Sequence, residues 1–248
     1  MTATTRTAPA LRRGGSRPPQ PRVALVGADG AGKSTITRLL ESAPLPAPVK
    51  RIYMGVNLEA SSLMLPTTRL LLAVKRARGG RPDLVATPAP ASGDGGTVGP
   101  GDERGSARGT ARMVVWILEE WFRQAVAWRY TRAGYLVVFD RHFLADYYHS
   151  DVESPATRRP AVRALHGWML QHAYPKPDLV VCLDAPASVL YARKPESSLQ
   201  AMERRRQQYL RLGGVVPVLV VIDADRPLEA VLADVVDTIR THWEATAA

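Results

Sequence analysis

Cysteine is nearly absent from this chain. Cys182 is the sole one in 248 residues, which excludes a disulfide framework and a cysteine-based metal site and makes a reducing cytoplasm the expected location. No stretch approaches the roughly 20 consecutive apolar residues that a membrane helix needs, so no membrane partner is expected. Acidic residues are missing altogether from residues 1 to 21, as is any apolar core. Thr, Ala, Pro, Gly and Arg cannot offset their own ordering entropy, and a disordered N-terminal tail is expected there. Within it Arg12-Arg13 is followed by no hydrophobic segment, which argues against export. The tail's arginines also inflate the formal charge of +10. Such a balance favours anionic partners, but neither interleaved aromatics nor a recognition motif accompanies it, which argues against nucleic acid.

What is present is the material of one α/β domain over residues 22 to 248, since a chain of this size can bury a single large core. Short apolar runs alternate with helical periodicities, the pattern of a mostly parallel sheet covered by helices on both faces. Five strands are expected at Val23 to Val26, Val49 to Met54, Tyr135 to Phe139, Leu179 to Leu183 and Val215 to Ile222. Helical spacing links Val114, Ile117, Leu118, Trp121, Ala125 and Trp128, and again Leu228, Val231, Leu232, Val235 and Ile239. Gly, Pro, Ala, Ser and Asp dominate residues 79 to 110, which reads as a flexible insertion within the domain, between helices ending near Arg78 and starting near Ala111.

Gly27-Ala28-Asp29-Gly30-Ala31-Gly32-Lys33-Ser34 fits G-x-x-x-x-G-K-[ST], follows a hydrophobic run, and precedes the helical Ile36, Leu39 and Leu40. The glycines let the backbone curl so that N–H groups point inward, and the helix N-terminus adds positive charge where the phosphates of ATP would sit. Lys33 is then placed for the β- and γ-phosphates and the Ser34 hydroxyl for Mg2+. A carboxylate inside such a loop is unfavourable unless it serves another group, so Asp29 is expected to face the acceptor. Leu136-Val137-Val138-Phe139-Asp140-Arg141-His142 puts an acid and an arginine beyond the carboxyl end of a buried strand, where open α/β sheets bind ligands. Asp140 could hold a metal-bound water and Arg141 could grip an acceptor phosphate with a bidentate fork. Asp184, ahead of Pro186, is a rival for the metal role, although a turn before a helix is the favoured reading.

With Thr35 included, the loop resembles that of the thymidylate kinases. So do Asp140-Arg141, with His142 in place of the usual aromatic, and Pro175 through Pro186. Tyr191-Ala192-Arg193-Lys194-Pro195-Glu196 and Glu203-Arg204-Arg205-Arg206-Gln207-Gln208-Tyr209 are similar to that family's lid and following helix, and Val221-Ile222-Asp223-Ala224-Asp225 to its last strand and adenine-side turn. The resemblance implies a P-loop three-layer α/β/α sandwich of the nucleoside monophosphate kinase kind, with a lid. It also implies phosphoryl transfer from Mg-ATP. Gly27, Gly30, Ala31, Gly32, Lys33, Ser34, Thr35, Arg193 and Ala224 would contact the nucleotide, Ser34 and Asp140 the metal. Asp29, Lys33, Asp140, Arg141 and Arg193 would carry the chemistry, with Arg193 the lid donor and Lys194 and Arg204 its rivals. A homodimer is compatible with it.

The acceptor stays open, as a nucleotide or another small molecule. Tyr53-Met54-Gly55-Val56-Asn57-Leu58-Glu59 stands where the family carries Glu-Pro-Gly-Gly, and Trp116 to Arg123 does not reproduce its Phe and Arg four residues apart. Two other functions fit the same residues. One is a kinase for a nucleoside or other small hydroxyl compound, with Asp29 or Asp140 as base. The other is a nucleotide-binding switch or ATPase.

Overall fold

The computed structural model of the protein describes residues 20–55, 63–77, 107–153 and 161–247. The expected tail up to residue 19, residues 79–106 of the expected insertion and Val56 to Glu59 lie outside these. Along the chain run β1 (Arg22–Val26), α1 (Lys33–Leu40), β2 (Val49–Tyr53), α2 (Pro66–Ala77), α3 (Ala107–Arg132), β3 (Leu136–Asp140) and α4 (Phe143–Tyr148). A π-helical turn at His149–Glu153 follows, then α5 (Ala161–His172), β4 (Leu179–Asp184), α6 (Ala187–Arg193), α7 (Leu199–Leu210), a 3-10 turn (Arg211–Gly214), β5 (Leu219–Asp223) and α8 (Leu228–Ala247).

All four strand pairings are parallel, in the order β2-β3-β1-β4-β5, so the expected α/β/α class holds. Alternate side chains of each strand feed two cores. Ala24, Val26, Val137, Phe139, Val180 and Cys182 face α3, α4 and α5, with Met113, Trp116, Phe143 and Leu170 among their neighbours. Val23, Leu25, Leu136, Val138, Leu179, Val181 and Leu183 face the other layer, where Ile36, Leu40, Leu190, Val235 and Ile239 cover them. Being buried on both sides, β1, β3 and β4 read as continuous apolar runs. The edge strands β2 and β5 keep exposed positions at Arg51, Val221 and Asp223.

Two expected boundaries change. The last strand begins at Leu219 rather than Val215, because Val215 and Val216 donate their N–H groups to the Leu212 carbonyl at 2.8 and 3.1 Å and Pro217 has no N–H for a ladder. Helix α3 starts at Ala107, four residues ahead of the expected start. No described helix is long and apolar enough to cross a membrane. The Cys182 thiol is buried, and burial and then Asp184 push it up to about 12, so it stays protonated.

Candidate active site

The site forms where the central strand ends. After β1 the chain turns through Gly27, Gly30 and Gly32, all at positive φ (139°, 87° and 83°), a conformation only glycine adopts cheaply. Space adds a second constraint. A Cβ on Gly27 would overlap the Leu183 carbonyl oxygen, and one on Gly30 would lie 2.6 Å from the Leu190 carbonyl. The loop is thereby wedged between the end of β4 and α6. Gly32 caps α1, its carbonyl accepting from Thr35 and Ile36 N–H at 3.0 Å.

Lys33 is buried and its Nζ donates to the Ala28 carbonyl at 2.6 Å. Burial, then the Arg141 charge, pulls its ammonium down to about 8 against the opposing pull of Asp29. The Ser34 hydroxyl donates to Asp140 Oδ1 at 3.2 Å, and Arg51 lies 3.6 Å from Asp140 Oδ2. Magnesium suits this pair. A hydroxyl and a buried carboxylate are hard oxygen donors, and among the described residues no group of three or more His, Cys, Asp and Glu could hold a metal on its own. Mg2+ needs no such cage, since one or two protein oxygens hold it with phosphates and water.

Asp29 and Arg141, expected to serve the acceptor, are paired to each other: Arg141 Nη2 donates to Asp29 Oδ1 at 2.6 Å. Burial would raise the Asp29 carboxyl, but Arg141 and Lys33 overcome this and hold it at about 2. Arg141 is the one described non-glycine residue at positive φ, 66°. Its N–H donates to Leu25 carbonyl at 3.1 Å, and Met54 N–H donates to the Asp140 carbonyl at 3.1 Å, so the strained turn is held from both sides. His142 follows, buried, with Nδ1 accepting from Leu144 N–H at 3.2 Å to cap α4. Burial, aided by Arg22, lowers it to about 3, so it is a neutral ring that meets Phe139 edge-on and Phe143 at a tilt.

Arg193 is not brought to the phosphate loop. Its Nη1 donates to the Ala224 carbonyl at 2.9 Å and its Nη2 lies 3.5 Å from Asp225, so it meets Ala224 at the turn after β5. Two neighbours in α7 turn inward instead. Arg205 is paired with Asp146 at 3.0 Å and stands near enough to bias both Asp29 and Lys33 electrostatically. Arg206 grips Asp184 with both arms, at 2.6 and 3.0 Å, so Asp184 serves as an anchor for α7. The signal for these arginines lay in the helical phase, because Met202 and Tyr209 are the buried positions of α7 and residues 205 and 206 share their face.

On the side of β2 and α3 lies a second group that sequence reasoning missed. Arg123, on the inward face of α3, is buried, donates Nη1 to the Gly55 carbonyl at 3.2 Å and lies 5.9 Å from the Trp116 ring. The two are seven residues apart, two helical turns. Arg123 Nε and Nη2, Trp116 Nε1 and the Tyr147 hydroxyl are buried without a hydrogen-bond partner among the described residues. Buried polar groups left unsatisfied are costly, so their clustering marks a place for a polar ligand. Beneath it His166 bridges Asp151 (2.7 Å) and Glu120 (3.0 Å), and Tyr174 donates to Glu120 at 2.7 Å.

No protein-family model matches the chain, and no curated protein matches it. Among solved structures it is similar to a deoxyadenosine kinase from M. mycoides holding the products dCMP and a flexible dCDP. The TM-score is 0.51 at 12% identity, over 89% of this chain and 99% of that one. At that identity the likeness is one of fold.

Proposed function

We propose that the chain is a Mg-ATP-dependent phosphotransferase that carries the γ-phosphoryl group of ATP to a phosphate-bearing nucleotide acceptor, in the manner of a nucleoside monophosphate kinase. The observation that carries this reading is the ring of groups around the phosphate loop: Lys33 at its floor, Ser34 against Asp140, and Arg141 and Arg205 flanking Asp29. Backbone N–H groups and Lys33 would hold the β- and γ-phosphates, and Ser34 and Asp140 would hold the metal. Held there, the metal would supply positive charge to offset that of the phosphates. Two guanidinium groups on one side of the loop exceed what ATP alone requires, which favours an acceptor bringing its own phosphate. Arg141 would grip that phosphate while Asp29 holds the guanidinium in place. A carboxyl held at about 2 is a feeble base near neutrality, so Asp29 is better suited to orientation than to proton abstraction. The unpaired donors of Arg123 and Trp116, with the Tyr147 hydroxyl, would read the acceptor's base, and Arg193 with Ala224 would line the adenine side.

Phosphorylation of a nucleoside hydroxyl is the second reading, supported by the name of the deoxyadenosine kinase that shares the fold. Incubation with Mg-ATP and a panel of nucleoside monophosphates and nucleosides separates the two. ADP release with formation of a nucleoside diphosphate is the expected result. Product from nucleosides alone supports the second reading, and ATP hydrolysis without product contradicts both.

A further inference from the structure

We propose that Asp146 is a positioning residue for phosphoryl transfer: with Tyr209 it holds Arg205 at the phosphate loop and leaves one guanidinium nitrogen free for a phosphate oxygen. This deepens the phosphotransferase reading and rests on it. Three hydrogen bonds close a triangle between α4 and α7. Arg205 Nη2 donates to Asp146 Oδ1 at 3.0 Å, Arg205 Nε donates to the Tyr209 hydroxyl at 3.3 Å, and that hydroxyl donates to Asp146 Oδ1 at 3.0 Å. Nε and Nη2 are thereby fixed, whereas Nη1 has no partner among the described residues. Arg205 and Tyr209 stand four residues apart, so the two meet on one face of α7.

The triangle's surroundings indicate its use. Asp146 lies in the first turn of α4 and its N–H donates to the His142 carbonyl at 3.2 Å, so the turn that sets Arg141 also sets Asp146. Its charge bears on Lys33 and Arg141, while that of Arg205 bears on Asp29 and Lys33, which places the pair beside the groups assigned to phosphate. Joining α4 to α7 needs no such arrangement. Only 2% of the Asp146 side chain is exposed, and its Oδ2 is buried without a hydrogen-bond partner among the described residues. A buried carboxylate satisfied on one oxygen alone is a poor staple, because apolar side chains of similar volume join two helices as well or better. The ion pair does what an apolar contact cannot: it keeps a long, always charged side chain in one direction before a phosphate arrives.

Steady-state kinetics with Mg-ATP and the acceptor that the wild type uses test this, as a double-mutant cycle with Arg205. Asp146→Ala should lower kcat at least about tenfold while the KM for ATP stays within about twofold. Asp146→Asn, which keeps an oxygen to receive Nη2, should recover most of that loss. Tyr209→Phe removes the acceptor of Nε but keeps the ring in the core, and should lower kcat by a smaller factor with unchanged circular dichroism, so it serves even where Asp146→Ala does not fold. Because both residues act through Arg205, either change added to Arg205→Ala should cost less than about twofold more. A wild type that transfers no phosphoryl group to any acceptor removes the phosphotransferase reading and this inference together. A wild type that transfers, while Asp146→Ala and Tyr209→Phe keep its kcat or their losses multiply with that of Arg205→Ala, overturns this inference alone.

Discussion

Lys33 illustrates how much a single side chain reveals before any ligand arrives. With its ammonium lowered to about 8 by burial and Arg141, a phosphate placed beside it must raise it again. The direction follows: binding of Mg-ATP near pH 8.5 should take up a fraction of a proton, seen as a binding enthalpy that varies with the ionisation enthalpy of the buffer. An enthalpy independent of buffer would contradict a Lys33–phosphate contact. The arginines make a second test. The resemblance to thymidylate kinases assigned the lid cation to Arg193, yet its guanidinium rests on the Ala224 carbonyl while Arg205 approaches Asp29 and Lys33. Arg205→Ala should lower kcat by about 100-fold or more, in line with what an arginine contributes to phosphoryl transfer. Arg193→Ala should leave kcat within about threefold and raise the KM for ATP. The reverse pattern would return the role to Arg193.

Elements are held together around the site by charge as well as by apolar contact. His166 on α5 joins Asp151 in the π-helical turn to Glu120 on α3. Burial would lower its pKa, but the hydrogen bonds to Asp151 and Glu120 raise it to about 9 from the ordinary 6.5. A raised folded-state value stabilises fully below 6.5 and is lost as pH climbs through 9. Urea unfolding should therefore show stability falling between about pH 6.5 and 9, by on the order of 3 kcal/mol, and His166→Gln should flatten that dependence. A curve of the same steepness in the variant would assign the loss to other groups. None of this network was legible in the sequence, because three residues from three elements meet only once the chain folds. The central strands were legible, since burial on both faces forces unbroken apolar runs, and so was the tight turn after β1, where conformation demands glycine. The edge strand β5 was misplaced at its start because Val215 and Val216 are apolar for another reason: their side chains pack against the core while their backbone closes a turn. Arg123 was passed over because its partner Trp116 stands seven residues away rather than four.

At the scale of the whole molecule, sheet order carries a consequence for synthesis on the ribosome. Among the described residues β1 pairs with β3 and β4 and not with β2, whose sole partner there is β3. Arg22 must wait for Val137 and Val49 for Leu136, and until these residues are made no described strand has a neighbour. At translation rates of about 5–20 residues per second this leaves the first two strands unpaired for on the order of 10 s. A nascent chain stopped before residue 136 should be digested throughout by protease, and one extended past β4 should yield the first resistant fragment. Resistance already present in the shorter chain would mean that the N-terminal half folds without its sheet. In the cell, that interval exposes Val23 to Val26 as a bare apolar edge, so this protein's yield should depend on the chaperones that meet it at the exit tunnel more than on the stability of its finished form.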